Sequence, residues 1–256
     1  MSEHLNLTSD GAVATLTIDR PDKKNALSLE MWSALPGIAR RVRADDRLRA
    51  LIIRGADDAF SAGADISEFA TVRGDADGAR RYAAAIEAAV KSLTDLPKPT
   101  IAAITGFCIG GGCELALACD IRLAAADARF GITPAKLGIV FTLPSTKQLV
   151  DAVGPAWAKQ ILFTGDIIDA PTALRIGLVN ELHATDLLDK RATELALVMA
   201  SRSQVTIRGA KDIVGRVVAG RHDEDDDVVR MYAASTASTD YAEGVAAFLE
   251  KRTPRF

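Results

Sequence analysis

The chain has 256 residues, of which 25% are charged and 48% hydrophobic, and its formal net charge is −3. This length suits one large domain with a substantial core, and the composition is ordinary for a globular protein. The nearly balanced charge gives no indication of nucleic-acid or anionic-membrane partners, so we expect neither. The N-terminal segment lacks the basic and apolar regions of a signal peptide, and no apolar run is long enough to span a bilayer.

The three cysteines, Cys108, Cys113 and Cys119, lie close together in the sequence and are odd in number. Such a set does not make a disulfide framework and fits a reducing compartment. The chain has no CxxC spacing and no histidine close to these cysteines. We therefore expect no metal site and a cytoplasmic protein.

The first third of the chain alternates predicted strands and helices. Residues 12–18 have strand-like alternation, and Ser28 is a suitable N-cap for a helix that runs towards Ala44 and is interrupted or kinked near Pro36. Residues 50–54, with the sequence ALIIR, predict a buried strand, which is followed by a loop of small residues.

The remainder begins with further strand and helix signals and ends in helices. Apolar residues have helical spacing over 80–96, and short apolar strands are predicted at 100–104 and 121–124. Strands that alternate with helices indicate an α/β fold with βαβ-like units. Further helices are predicted near 156–162, 171–176, 185–201, 206–218 and 225–251, the last one broken around 235–239. The charged run 221–227 is expected to be a solvated loop or a helix start.

A glycine-rich stretch follows the predicted strand 100–104. Gly110, Gly111 and Gly112 precede Glu114, which opens a segment of helical character. Glycine lets a ligand approach the backbone closely, and the first N–H groups of a helix have no intrahelical partner. This stretch can therefore offer a hydrogen-bond donor to an oxygen that gains negative charge, with a carboxylate beside it.

A second loop of small residues, FSAGAD at 60–65, follows the strand 50–54 in the same way. Loops at the carboxyl ends of parallel strands meet at one edge of a sheet, where ligands usually bind. The two loops can each aim one N–H group at the same carbonyl oxygen, as an oxyanion hole requires. Either loop taken alone is explained as well by a tight turn.

These motifs resemble those of the crotonase (enoyl-CoA hydratase/isomerase) superfamily. The similar segments are FSAGADISEF, ITGFCIGGGCELALACDIRLA and ARFGITPAKLGIV, with RPDKKNALS near the start and EGVAAFLEKRTPRF at the end. The resemblance implies a spiral core of repeated ββα or βαβ units, assigned to residues 1–200. It also implies a helical region, 201–256, that builds trimers, commonly paired into hexamers.

The same resemblance implies an acyl-CoA thioester as the ligand, with coenzyme A as part of the substrate and no separate cofactor. By motif position, the N–H groups of Ala64 and Gly111 hold the thioester oxygen, and Glu114 is the acid/base. The segments that contact coenzyme A are expected to include a further set of residues. They are Lys24, Ala26, Ala62, Ala64, Asp65, Ile66, Gly110 and Gly111, with Phe248 and Lys251 from the same or a neighbouring subunit. The helix 80–96 and the loop 139–145 are expected to line the acyl pocket, and residues 70–77 to form a mobile flap or an ordinary exposed loop.

One position departs from the family pattern. Hydratases of this family hold a water between two glutamates, and the second of them aligns with Pro134 here, which cannot transfer a proton through its side chain. Enoyl-CoA hydration that rests on Glu114 is the primary hypothesis. Double-bond isomerisation, decarboxylation, thioester hydrolysis and acyl-CoA binding without turnover stay open.

A reading outside the family rests on residues 106–110, which fit a G-x-nucleophile-x-G elbow with Cys108 as the nucleophile. Such a hydrolase needs a downstream histidine, for which His183 and His222 are the candidates. A small buried side chain is the simpler explanation of Cys108.

Overall fold

The computed structural model describes residues 2–256 and has a mixed α/β fold. The strands are β1 (Leu5–Asp10), β2 (Val13–Ile18), β3 (Ala50–Gly55), β4 (Thr100–Ile104), β5 (Phe107–Ile109), β6 (Ile121–Ala125), β7 (Arg129–Gly131), β8 (Ile168–Asp169) and β9 (Glu181–His183). The main sheet has the order β1-β2-β3-β4-β6-β9, and β5-β7-β8 form a second, smaller sheet. In the main sheet β1 pairs antiparallel with β2, and the other pairs are parallel.

Helices connect these strands and make up the C-terminal part. They are α1 (Leu29–Ala44), α2 (Phe69–Val72), α3 (Ala76–Thr94), α4 (Gly111–Leu117), α5 (Leu143–Thr164), α6 (Ala170–Arg175), α7 (Thr185–Ala200), α8 (Gln204–Val218), α9 (Asp226–Thr236) and α10 (Thr239–Leu249). The predicted alternation of strands and helices is confirmed. The strands β5, β7, β8 and β9 are only two or three residues long and carry too little periodicity to be predicted.

Helix α1 is continuous across Pro36, where an interruption or kink was expected. The Ser28 hydroxyl accepts a hydrogen bond from the Met31 N–H, so the predicted N-cap is confirmed. The helix buries an apolar stripe that includes Trp32, Leu35 and Ile38. Packing of that stripe outweighs the local cost of a proline in a helix interior.

The start of α5 is the largest difference from the sequence prediction. The loop expected over residues 139–145 ends early, because Thr142 caps a helix that begins at Leu143. Thr142 before Pro144 is a start signal, because threonine is a good N-cap and proline is tolerated in the first turn. The helix is broken only at Gly154, whose φ of 74° is left-handed.

The structure also bears on three smaller predictions, for residues 70–77, for the charged run 221–227 and for the division of the chain at residue 200. The expected flap or loop over residues 70–77 is instead mostly helical, since α2 and α3 leave only residues 73–75 between them. The charged run ends in a helix start as expected, with Asp225 accepting a hydrogen bond from the Val228 N–H at 3.0 Å. The division of the chain at residue 200 stays a prediction, although it falls in the short connection between α7 and α8.

Strands β3 and β4 position the functional loops. They are parallel neighbours, with Leu51 opposite Thr100, so the segments that leave them emerge at the same sheet edge. The segment after β3 returns to pair with β5, through a bridge between Ser61 and Cys108. In residues 2–256 no helix is long and apolar enough to cross a membrane.

Candidate functional site

The two small-residue loops lie against each other, as their positions after parallel strands predicted. The Ser61 N–H donates to the Phe107 carbonyl and the Ile109 N–H donates to the Ser61 carbonyl, both at 2.9 Å. On its other side the first loop is held by Leu27, whose N–H donates to the Gly63 carbonyl at 2.7 Å. Backbone hydrogen bonds therefore fix both loops.

Within this arrangement the N–H groups of Ala64 and Gly111 stay without a protein acceptor in residues 2–256. Both residues line one large cavity, and Gly111 is buried. Buried backbone N–H groups are nearly always paired in proteins, so the unpaired N–H of buried Gly111, with that of partly buried Ala64 on the same cavity, is suited to bind an acceptor there. The sequence prediction that these loops approach each other is borne out by their contacts. The two N–H groups as the oxyanion hole stay a prediction.

Glycine is required for this close approach. A Cβ on Gly63 would lie 2.5 Å from the Ile109 carbonyl oxygen and 2.9 Å from the Gly111 nitrogen, and the φ of Gly63 is +92°. A Cβ on Gly111 would lie 2.9 Å from the ring of Trp32 and 3.4 Å from the Ala64 nitrogen. A side chain at either position would push the two loops apart.

Glu114 is the buried carboxylate of the cavity. It is the fourth residue of α4 and is 6% exposed. Burial raises its pKa above the ordinary glutamate value, and the influence of the nearby Ser145 hydroxyl opposes that rise. A carboxyl group whose pKa is shifted towards the working pH is better suited to accept and return a proton.

The cavity has a volume of about 940 Å³ and extends from the two loops along α3, α5 and α8. Ala62, Ile66 and Gly110 line it with the two N–H groups, as expected from the motifs. Residues from the helix 80–96 and the loop 139–145 line it too, so both expected walls are present. Pro134, which the sequence analysis places at the position of the second family glutamate, lies on the cavity wall.

Five other predicted binding residues do not line this cavity. Lys24 and Ala26 lie just behind the first loop, where the Lys24 carbonyl accepts a hydrogen bond from the Ala62 N–H at 2.9 Å. The Lys24 ammonium is exposed over the ring of Phe107. Phe248 is 82% exposed at the end of α10, and Lys251 follows it. The roles of these residues in binding coenzyme A stay predictions.

Asp65 is the last of the five predicted binding residues that do not line the cavity, and its side chain stabilises the first loop, residues 60–65. Its carboxylate lies 2.7 Å from Arg20 and accepts hydrogen bonds from the backbone and hydroxyl of Ser67. Burial raises the pKa of Asp65, but the bonds from Ser67 and Arg20 outweigh burial and hold the pKa below its ordinary value. Arg20, which sequence reasoning missed, thus ties the RPDKKNALS segment to the first loop.

We expect Asp65→Ala to lower the free energy of unfolding by about 2–3 kcal/mol, because it leaves a mostly buried Arg20 without its counter-charge. Because the folded pKa of Asp65 is depressed, this stabilisation is present above the unfolded pKa and is lost as the pH falls through the folded pKa. Urea unfolding at neutral and acid pH measures the loss of stability in Asp65→Ala and its dependence on pH. Exposed Asp22→Ala is the control and should change stability by less than about 0.5 kcal/mol. An equal effect of the two variants would contradict the assignment.

A cysteine nucleophile finds no support in this geometry. Cys108 lies in the middle of β5, fully buried, and not at a strand-to-helix turn. Burial raises the pKa of its thiol well above the ordinary value, which disfavours the thiolate. His183 lies on strand β9 of the main sheet, where its Nε2 is 2.8 Å from a Glu181 carboxylate oxygen, whereas Cys108 belongs to the second sheet.

Comparison with known proteins identifies the family. A family model described as enoyl-CoA hydratase/isomerase matches residues 8–256. A crotonyl-CoA hydratase of Syntrophomonas wolfei is 36% identical over 99% of this chain and 98% of its own length. A short-chain-enoyl-CoA hydratase of Clostridium acetobutylicum is 35% identical over 96% of this chain and 94% of its own.

Solved structures of this family have the same fold as this chain. The crystal structure of an enoyl-CoA hydratase/isomerase family protein from Hyphomonas neptunium superposes with a TM-score of 0.96 at 37% identity. The superposition covers 99% of this chain and 97% of that one. The crotonase resemblance inferred from the loop motifs is thereby confirmed. The chain belongs to the enoyl-CoA hydratase/isomerase family and is an enzyme of that type.

Proposed function

We propose that this enzyme catalyses the reversible addition of water to a 2-enoyl-CoA thioester. The observation that carries the proposal is the pair of unpaired N–H groups, of Ala64 and Gly111, on the same cavity as the buried carboxylate of Glu114. The relatives named as enoyl-CoA hydratases, at about 35% identity, support the same reaction.

In the proposed reaction Glu114 carries the proton. Its carboxylate takes a proton from water as the water oxygen forms a bond to C3 of the enoyl group. The electron pair of the double bond moves towards the thioester carbonyl and gives an enolate, whose oxygen accepts hydrogen bonds from Ala64 and Gly111. The protonated Glu114 then returns the proton to C2, and the thioester carbonyl forms again.

The two N–H donors act on the charge that develops during the reaction. The enolate oxygen is a stronger acceptor than the carbonyl oxygen, so fixed donors stabilise the transition state more than the bound substrate. The proposal includes no metal or redox cofactor, because coenzyme A is part of the substrate and each proton passes through Glu114.

The proposal extends to assembly. We propose a crotonase-like spiral core and a homotrimer or a dimer of trimers, built by residues 201–256. Helix α8 buries none of its residues in the single chain, and the C-terminal helices expose several apolar side chains, among them Val214, Val217, Phe248 and Leu249. Apolar surface of this kind supports association with further copies. A cytoplasmic location fits the free, buried cysteines.

Pro134 favours a second candidate function. With no second carboxylate at that position, Glu114 alone can move a proton from one carbon to another and so shift a double bond. Other enolate reactions, such as decarboxylation or thioester hydrolysis, need the same two N–H donors. Binding of acyl-CoA without turnover is the remaining alternative.

The test follows the ultraviolet absorbance of the conjugated thioester when the purified enzyme meets crotonyl-CoA. Hydration removes the conjugation, so we expect the absorbance to fall with the wild-type enzyme. Incubation of 3-butenoyl-CoA tests isomerisation, which creates conjugation and raises the absorbance. No loss with crotonyl-CoA but a gain with 3-butenoyl-CoA would replace hydration by isomerisation. Tight binding with no change in either thioester would indicate a binding protein.

A further inference from the structure

Five basic side chains line the cavity in residues 2–256, and four of them have partners in the protein. Three are lysines in ion pairs of 2.6–2.8 Å, namely Lys91 with Asp95, Lys147 with Asp151 and Lys211 with Asp120. The fourth, Arg122, donates hydrogen bonds to two backbone carbonyls at 2.8 Å. The guanidinium of Arg73, the fifth, has no carboxylate, hydroxyl or carbonyl partner in the same residues. This cation on the cavity wall therefore lacks a counter-charge from the described chain.

Two aromatic rings hold the guanidinium of Arg73 in place. Its central carbon lies 4.4 Å from the centroid of the Phe69 ring and 5.2 Å from that of the Tyr82 ring. The two rings meet edge to face, with their centroids 5.4 Å apart and their planes at 74°. A ring face attracts the cation, but it satisfies none of the five N–H donors as a carboxylate would. Arg73 is therefore positioned and still has hydrogen bonds to offer.

The backbone and Tyr82 connect this cation to the first loop. Arg73 caps the C-terminus of α2, where its N–H donates to the Phe69 carbonyl at 2.8 Å. Tyr82 is fully buried on α3, and its hydroxyl donates to the Leu27 carbonyl at 3.4 Å. The same carbonyl accepts a hydrogen bond from the Asp65 N–H at 2.9 Å. The position of Arg73 relative to the first loop is therefore fixed by packing and by hydrogen bonds.

The acidic groups on the cavity wall do not compensate Arg73. Three of them are the partners of the lysines. Glu114 is buried on α4, and exposed Glu87 makes no ion pair with Arg73 within residues 2–256. A ligand with a negative group would therefore find its unengaged cation at Arg73.

Arg73 lies beside the wall that was expected to take the acyl chain. Tyr82, which supports the guanidinium, belongs to the segment 80–96, and both residues line the cavity. Four residues that were expected to contact coenzyme A do not line it, namely Lys24, Ala26, Phe248 and Lys251. A negative group that meets Arg73 inside the cavity is therefore best supplied by the acyl chain.

We propose that Arg73 binds a carboxylate at the far end of the acyl chain, so that the enzyme prefers dicarboxylic acyl-CoA thioesters. This inference rests on the proposed function, because it names the substrate class of the same site. A guanidinium matches a carboxylate with two parallel N–H donors, and a hydrogen bond between two charged groups is stronger than one between neutral groups. A chain that ends in a methyl group offers Arg73 no acceptor.

The test compares pairs of 2-enoyl-CoA thioesters of equal length, one ending in a carboxylate and the other in a methyl group. Glutaconyl-CoA and 2-pentenoyl-CoA are the shortest pair, and the series runs from five to eight carbons. The measured quantity is the ratio of kcat/KM within each pair. At one length or more, we expect the wild type to favour the carboxylate by about 10- to 100-fold, the effect of a hydrogen bond between charged groups. Arg73→Met, which keeps a long side chain without charge, should remove this preference.

The control is Arg80→Met on α3, which makes the same change outside the cavity. Arg80 is exposed, pairs with Asp77 and does not line the cavity, so the ratio should equal that of the wild type. Arg73→Lys keeps the charge but loses the planar fork, and it should keep only part of the preference. The inference is overturned if the wild type favours the carboxylate at no length, or if Arg73→Met leaves such a preference unchanged.

Binding of saturated thioesters separates the inference from the proposed function, because these compounds have no double bond to hydrate. In calorimetric titrations the wild type should bind the dicarboxylic thioester more tightly than its methyl-terminated partner, as with glutaryl-CoA and valeryl-CoA at five carbons. Arg73→Met should remove the difference. If the wild type hydrates no enoyl thioester, the proposed function fails and this comparison still tests Arg73.

Free coenzyme A distinguishes the acyl carboxylate from the phosphates, which are the other negative groups of the ligand. We expect wild type and Arg73→Met to bind free coenzyme A with equal affinity, measured by the same titration. If Arg73→Met weakens free coenzyme A as much as it weakens the dicarboxylic thioester, Arg73 serves the phosphates and the inference is wrong.

Discussion

Glu114→Gln is expected to lower kcat for crotonyl-CoA hydration by at least about 10²–10⁴, the usual contribution of a general acid/base. Glutamine has nearly the same shape but can neither take up nor release a proton at this position. KM should change little, because the proposed contacts to the thioester oxygen come from backbone N–H groups. Steady-state kinetics at several pH values measure both constants.

The control for this variant is Glu87→Gln, which makes the same change of charge on α3. Glu87 is exposed and lines the same cavity, so its loss removes one solvent-screened negative charge from the cavity wall. We expect it to stay within about 2-fold of the wild type, since no proton passes through it. A loss of similar size in both variants would indicate an electrostatic effect of the cavity and not acid/base catalysis by Glu114.

The Glu114→Gln variant also has a predicted effect on stability. Burial raises the pKa of Glu114 in the folded state, so ionisation of this group at neutral pH opposes folding. The contribution of a raised carboxyl pKa is fully favourable below the unfolded pKa and is lost as the pH rises through the folded value. Glu114→Gln removes the ionisation, so its Tm at neutral pH should be no lower than that of the wild type. A clearly lower Tm would mean that the carboxylate is stabilised by contacts that glutamine cannot make.

The sequence predicted the parts of the site that depend on local chain signals. Small residues after the β3 strand and three glycines before Glu114 were enough to place two loops at one sheet edge. The parallel pairing of β3 with β4 and the bridge from Ser61 to Cys108 confirm this placement. These features predict where the loops lie because glycine residues and the position of a loop after a strand directly limit the path of the backbone.

The sequence did not predict contacts between side chains from distant segments. Arg20 and Asp65 are far apart in the chain, and no local sequence pattern around either residue predicts their ion pair. Ser145 was placed in a loop, although the Thr142 cap and Pro144 signalled a helix start there. Whether Ser145 lines the same cavity as Glu114 depends on how α5 packs on α4, which periodicity does not encode. The continuity of α1 through Pro36 is a similar case, because tertiary packing decided it.

An ester bond in place of the Ala64 amide is expected to lower kcat by about 10²–10³, the cost of losing one oxyanion donor. Lactic acid, introduced at position 64 by nonsense suppression, keeps the methyl group and replaces the N–H by an oxygen. The Ala64 N–H has no protein acceptor in residues 2–256, so its removal breaks no structural hydrogen bond, and the ester only weakens the Gly63 carbonyl as acceptor of the Leu27 N–H. The main loss should therefore appear in the rate, with a fall in stability of less than about 1 kcal/mol. Crotonyl-CoA kinetics and thermal unfolding are the measurements.

The matched control is lactic acid at position 62, two residues earlier in the same loop. The Ala62 N–H donates to the Lys24 carbonyl at 2.9 Å, so this ester removes a structural bond. The same ester weakens the Ser61 carbonyl, which accepts from the Ile109 N–H, so it should cost about 1–2 kcal/mol of stability while kcat stays within a few-fold of the wild type. The loss is thus expected mainly in the rate at position 64 and mainly in the stability at position 62. If the ester at position 64 leaves kcat unchanged, the thioester oxygen is held elsewhere, and the assignment of Ala64 and Gly111 as its donors is wrong.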